Sequence, residues 1–257
     1  MINTRTDGPI TIVEIDRPES RNAVDGPTAD ALRRAFQIFD GDDRQLVAVL
    51  TGAGPHFCAG ADLTAFVAED GRELRIEAPP APGPMGPTRM RLSKPVIAAV
   101  EGYAVAGGLE LAVWADMRVA AESAVFGVFS RRFGVPLIDL GAVRLPRLVG
   151  HSHAMDMILT GRPVAAEEAL MMGLANRVVP DGMALSSAIE LARTIAAFPQ
   201  QTMRSDRQVA IEQWDLDDER WNQREYMLGR NVLQSGEAQT GAVQFVAGAG
   251  RHGQFGQ

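Results

Sequence analysis

Cysteine and lysine are almost missing from this 257-residue chain, each present once, as Cys58 and Lys94. A single cysteine excludes an internal disulfide and a cysteine-rich zinc cluster, and it leaves Cys58 as a small buried thiol. The 24 arginines show that the shortage of lysine is a coding preference, and Lys94, just before Pro95, carries no catalytic expectation. Positive charge is in deficit overall. A net charge of −7 with no basic stripe excludes general nucleic-acid binding, although a local patch could still meet a nucleotide-like ligand. Long apolar runs are missing too. None approaches the roughly 18 to 20 residues that cross a bilayer, and the first eight residues lack the apolar centre of a secretory signal. A soluble cytoplasmic protein without a membrane partner is expected. His56, His151 and His153 have no converging acids at ligand spacing, so no metal site is expected.

What is present is a chain with 46% hydrophobic residues, enough to bury a sizeable core. Residues Ile10–Ile15 read as a β-branched strand. Residues 27–39 read as a helix that opens at Pro27 and carries Leu32, Ala35, Phe36 and Phe39 on one face. A strand over 46–50 follows, and the alternation returns with a strand at Val96–Val100, a helix at Gly107–Trp114 and a strand over 118–121. The pattern is α/β, built from β-β-α units. Between these blocks, residues 77–87 hold five prolines and form a loop or lid. After Pro180 the chain turns helical over 183–197 and again, as one long segment, over 200–233 with Trp214, Trp221 and Tyr226. The organisation expected is a core over 1–198 and a helical region over 199–257. A glycine pattern over 248–253 matches a dinucleotide fingerprint by count alone, with no room after it for the helix such a site needs.

The most informative segment is Gly102-Tyr-Ala-Val-Ala-Gly107-Gly108-Leu-Glu110-Leu-Ala, a buried strand that runs into a glycine pair opening a helix. A helix start offers unpaired N–H groups and a positive dipole end, and Glu110 follows Gly107 by about one turn. An anion-stabilising amide beside a carboxylate suits enolate chemistry. A second glycine-bounded loop, Gly52-Ala-Gly-Pro-His-Phe57-Cys58-Ala59-Gly60-Ala-Asp62-Leu63, follows the strand over 46–50.

Taken with Arg21-Asn22-Ala23, Lys94-Pro95, Phe126-Gly127, Leu159-Thr-Gly161 and Gly173-Leu-Ala-Asn-Arg-Val-Val179, these two segments make the chain resemble the crotonase superfamily of enoyl-CoA hydratases and isomerases. The resemblance implies a spiral of β-β-α units with a C-terminal helical trimerisation region, and a homo-oligomer that is a trimer or a dimer of trimers. It implies an acyl-CoA substrate whose CoA is part of the substrate, so that no separate cofactor is needed. By motif position the oxyanion donors would be the N–H groups of Ala59 and Gly107, with Glu110 handling water or proton. CoA contacts would come from Arg21, Ala23, Ala61, Asp62 and Leu63, and the loop over 77–87 would border the acyl pocket. The family's second glutamate is replaced by Ser130, a hydroxyl that cannot act efficiently as an acid near neutral pH. Asp139 is the candidate substitute, and it is equally well placed to cap the next helix. Arg131 and Arg132 are candidates to pair with Asp139 or Glu110. Hydration of an enoyl-CoA is the first expectation. Isomerisation, decarboxylation, C–C cleavage and a CoA-ester binder that has lost catalysis remain as alternatives, and a nucleotide-binding oxidoreductase finds no fingerprint in its required context.

Overall fold

A computed structural model of the chain describes residues 1–68 and 70–249. They form two compact units divided between Thr194 and Ile195. The larger unit holds a six-stranded sheet ordered β1 (Ile2–Asp7), β2 (Ile10–Ile15), β3 (Val47–Gly52), β4 (Val96–Val100), β6 (Met117–Ala121) and β9 (Arg177–Val179). Only the β1–β2 hairpin is antiparallel, and the inner strands are parallel. A second sheet contains β5 (Tyr103–Val105), β7 (Val125–Gly127) and β8 (Val164–Ala165).

The chain alternates between these sheets. β4 leaves the large sheet, β5 joins the small one, and helix α3 (Gly107–Trp114) follows; β6 and β7 then repeat the step one strand further along. This is the β-β-α repeat expected from the alternation of apolar segments. Strand β4, Val-Ile-Ala-Ala-Val, is buried at every position, as an inner parallel strand covered on both faces must be.

Helix α1 (Gly26–Gly41) buries Thr28, Ala29, Leu32, Ala35, Phe36 and Phe39, one face at helical spacing, and Asp25 caps it by accepting from the Thr28 N–H at 3.0 Å. At its other end Lys94, itself buried, donates to the carbonyls of Phe39 and Asp42, the favourable place for a cation at a helix C-terminus. The short α2 (Leu63–Ala68) follows the second glycine-bounded loop, α4 (Gly141–Val149), α5 (His151–Thr160) and α6 (Ala166–Met171) come later in the larger unit, and the unit ends within α7 (Ala184–Ala196).

In the second unit the expected long helix is divided. Helix α8 (Gln200–Glu212) ends in a 3-10 turn, and α9 (Asp218–Ser235) restarts after Asp217, whose carboxylate accepts from the Arg220 N–H at 3.0 Å; α10 (Glu237–Val246) follows. An N-cap aspartate favours a new start over continuation, which the aromatic spacing alone did not reveal. The glycine pattern over 248–253 falls mostly outside the described residues.

Candidate active site

Helix α3 is apolar on all sides, and every residue from Gly107 to Val113 is buried. Glu110 is therefore carried into the core, 3% exposed. Its Oε1 accepts from the backbone N–H groups of Asp139 at 2.9 Å and Gly141 at 2.8 Å. Burial and then the nearby Asp139 charge push its carboxyl up to about 7, against the pull of those two hydrogen bonds. A carboxyl balanced near neutral pH can both take and return a proton.

The N–H groups around Glu110 sort into spent and free. Ala106, just before α3, sits at φ 54°, a conformation an alanine rarely adopts, and Gly107 begins the helix with no side-chain cap over it. In the facing loop, Ala59 is not free: its N–H donates to the Arg21 carbonyl at 3.0 Å. This corrects the expectation from motif position that Ala59 is an oxyanion donor. The parallel bridge between Val24 and Ala61 uses the Val24 N–H on Gly60 O and the Asp62 N–H on Val24 O, each at 2.8 Å. Gly60, at φ 98°, breaks the extended path between Ala59 and Ala61, and the Ala61 N–H finds no protein acceptor among the described residues. A Cβ on Gly60 would stand 2.9 Å from the Gly107 nitrogen, so this loop and the start of α3 are in direct contact.

Asp139 lies beside Glu110 through its own backbone N–H, yet its side chain has other work. Its Oδ1 accepts from the Met85 N–H at 3.0 Å and from the Thr88 hydroxyl, and burial pushes its carboxyl up. It does not cap α4, because the N-cap residue is Leu140 and no side chain bonds there. The expected partners Arg131 and Arg132 point elsewhere, to the carbonyls of Ile158 and Gly161. Arg89 and Arg144 are the cations near Asp139, and Arg144 is the one that also acts on Glu110. It donates to the Asp139 carbonyl at 3.0 Å and the Thr88 carbonyl at 2.6 Å. Ser130, in the short 3-10 turn Phe129–Phe133, is buried with its Oγ unpartnered among the described residues.

The proline-rich segment ends in a turn closed by Gly86 N–H to Gly83 O at 2.8 Å. Its tip, Met85, is fully buried, and a Cβ on Gly107 would come within 2.7 Å of the Met85 sulfur. Only a glycine at 107 lets that side chain lie across the start of α3. Met85, Thr88 and Arg144 have no local sequence signal, because each reaches the site from a separate segment.

The residues expected to meet CoA gather at one corner. Arg21 and Asn22 are both left-handed, at φ 53° and 57°, and Ala23 and Val24 lead from them to the bridge with Ala61. Leu63 starts α2 and is 41% exposed. Asp62 is committed within the fold: Oδ1 accepts from Thr64 and Ala65, and Oδ2 pairs with Arg17 at 2.9 Å. His56 lies close to Arg21, and burial and then that charge hold its imidazole below its usual value. Cys58 is buried, its thiol pushed up to about 12 by burial. Among the described residues no three His, Cys, Asp or Glu converge as metal ligands, and no helix is long and apolar enough to cross a membrane.

Two sheets wound in β-β-α turns, with two glycine-bounded loops meeting beside a buried acid, are the architecture of the crotonase class of proteins. The chain belongs to the enoyl-CoA hydratase/isomerase family, whose profile matches residues 5–251. It is 41% identical to enoyl-CoA hydratase EchA19 of Mycobacterium tuberculosis over 74% of this chain and 72% of that one. It is also 41% identical to a carnitinyl-CoA dehydratase of Salmonella arizonae over 80% and 81% of the two chains. Among solved structures, enoyl-CoA hydratase EchA1 from Mycobacterium marinum superposes with a TM-score of 0.90 at 33% identity, covering 96% of this chain and 95% of that one.

Proposed function

We propose that the protein is an enoyl-CoA hydratase, adding water across the double bond of a trans-2-enoyl-CoA. The N–H groups of Ala61 and Gly107 hold the thioester oxygen as it gains negative charge, a contribution worth several kcal/mol for a preorganised pair. Glu110 takes a proton from water as the oxygen bonds to the β-carbon, then returns that proton to the α-carbon. With Ser130 in place of a second acid, one carboxyl serves both steps. The single observation that carries this reading is the buried Glu110 carboxylate, held by the Asp139 and Gly141 N–H groups one turn from a Gly107 N–H that has no acceptor among the described residues. CoA lies along the corner formed by Arg21, Ala23, Ala61 and Leu63, and it is a part of the substrate. The protein works as a cytoplasmic trimer or dimer of trimers.

Ser130 also supports a second reading, a CoA-ester binder without turnover. The test is hydration of trans-2-butenoyl-CoA by wild type and Glu110→Gln, with calorimetry for thioester binding. Wild-type turnover that falls by at least about 100-fold in Glu110→Gln, with binding kept, is expected for a positioned acid-base group. Wild-type binding without turnover would favour the binder.

A further inference from the structure

Arg17 reaches from the end of β2 to the loops that flank the thioester corner, and it touches both. Its Nη2 pairs with Asp62 Oδ2 at 2.9 Å and with Asp25 Oδ2 at 3.2 Å, and its Nη1 donates to the Ala23 carbonyl. All three side chains are largely buried, 15% exposed for Arg17, 8% for Asp25 and 6% for Asp62. Each aspartate also caps a helix. Asp25 accepts from Thr28 at the start of α1, and Asp62 accepts from Thr64 and Ala65 at the start of α2. Between the two caps lies the Val24–Ala61 bridge. The Arg17 backbone closes the corner as well: its N–H donates to Asn22 Oδ1 at 2.9 Å, and its carbonyl accepts from the Asn22 N–H at 2.8 Å. Asn22 Nδ2 then donates to the carbonyls of Ala53 and His56. These bonds hold two consecutive left-handed residues, Arg21 and Asn22, a backbone that persists only where its surroundings over-determine it.

We propose that Arg17 is a positioning residue for the reaction, a clamp that sets the direction of the Ala61 N–H by fixing the residues on both sides of its bridge. This rests on the assignment of Ala61 as an oxyanion donor. The Arg17 guanidinium is taken up by Asp25, Asp62 and the Ala23 carbonyl, so it acts through the loops and not on the substrate. Its planar fork spans two carboxylates and a carbonyl at once, which an ammonium on a flexible stem does not reproduce. A misaimed donor stabilises the transition state less while leaving CoA contacts in place, so the effect belongs in kcat more than in KM.

The test uses a conjugated dienoyl-CoA, whose ultraviolet band moves to longer wavelength when hydrogen bonds polarise its carbonyl. It is bound to Glu110→Gln protein so that it is not consumed. Adding Arg17→Lys should remove at least about half of that shift while the probe still binds, and Arg17→Lys alone should lower kcat about tenfold or more with KM changed less than about threefold. If Arg17→Lys does not fold, Asp62→Asn replaces it: an asparagine keeps the oxygen that Thr64 and Ala65 need and puts an amide donor in place of the charged acceptor facing Arg17. A full shift and unchanged kcat in a folded variant overturn the clamp. No shift in the Glu110→Gln parent overturns the oxyanion reading itself, and the clamp with it.

Discussion

Glu110 and Asp139 differ in what their oxygens are doing, and that difference supports separate roles in the proposed reaction. Among the described residues Glu110 Oε1 accepts from two backbone N–H groups, whereas Asp139 Oδ1 accepts from the Met85 N–H and the Thr88 hydroxyl, so in the proposed reaction Asp139 acts through geometry and charge. As a base, Glu110 must be ionised. With its value raised to about 7, hydration in kcat/KM should rise with pH through that region. The linked stability change has the opposite sign: a carboxyl that binds its proton more tightly when folded loses stability as pH climbs from 4.5 towards 7. The Asp139 charge is the second cause of the upward shift. Asp139→Asn keeps an oxygen for Met85 and Thr88 but removes that charge, so the rising limb should move to lower pH with turnover at pH 8 within about threefold of wild type. A loss of about 100-fold at every pH would instead make Asp139 an acid or base in its own right. The choice between Ala59 and Ala61 was beyond the sequence for a related reason. Both lie in the same motif, and only the bond from the Ala59 N–H to the Arg21 carbonyl, formed across segments, separates them.

Elements with a strong local pattern were legible. Ile10–Ile15, Val96–Val100 and Gly107–Trp114 stand where β-branched runs and the glycine pair place them. Strand β1, Ile-Asn-Thr-Arg-Thr-Asp, gave no such signal, because an edge strand leaves its middle residues exposed and needs no apolar alternation. The three-residue strands β5 and β7 are set by sheet pairing more than by sequence. The proline-rich segment is a loop as composition required, but its fixed tip comes from tertiary contact: Gly86 faces the Ala29 carbonyl and Met85 lies on Gly107. Gly83, Pro84 and Gly86 of that turn also line a recess with Ala29 and Arg33. Trimming Met85 to alanine should join space above Gly107 to that recess. The expected result is a higher kcat/KM ratio for an eight-carbon over a four-carbon trans-2-enoyl-CoA, with stability lower by about 2 to 5 kcal/mol from the lost buried side chain. An unchanged chain-length ratio in a folded Met85→Ala protein would remove the turn from the control of substrate size.

The two units differ in how much apolar side chain each one buries. The unit ending at Thr194 buries a continuous core from Val13 to Ala175, and its site is assembled within it. In the second unit, α9 and α10 bury no residue, and Trp214, Tyr226, Met227, Leu233, Val243 and Phe245 are all more than half exposed. Large apolar side chains left exposed in such number are a sign of a covered surface, and a second copy of the chain is the partner that needs no further protein. A net charge of −7 on each copy opposes this association at low salt, so added salt should strengthen it until the charges are screened. Sedimentation at micromolar concentration and moderate salt should therefore give a mass three or six times the 27.6 kDa chain. Placing a charge in the apolar surface, with Tyr226→Glu and Met227→Glu together, should shift that mass downward while the circular dichroism of the larger unit's helices and strands is kept, because neither residue belongs to its core. A wild-type protein that stays monomeric across the salt range would leave these aromatics without a covering copy, and with it the expectation that this region assembles the enzyme.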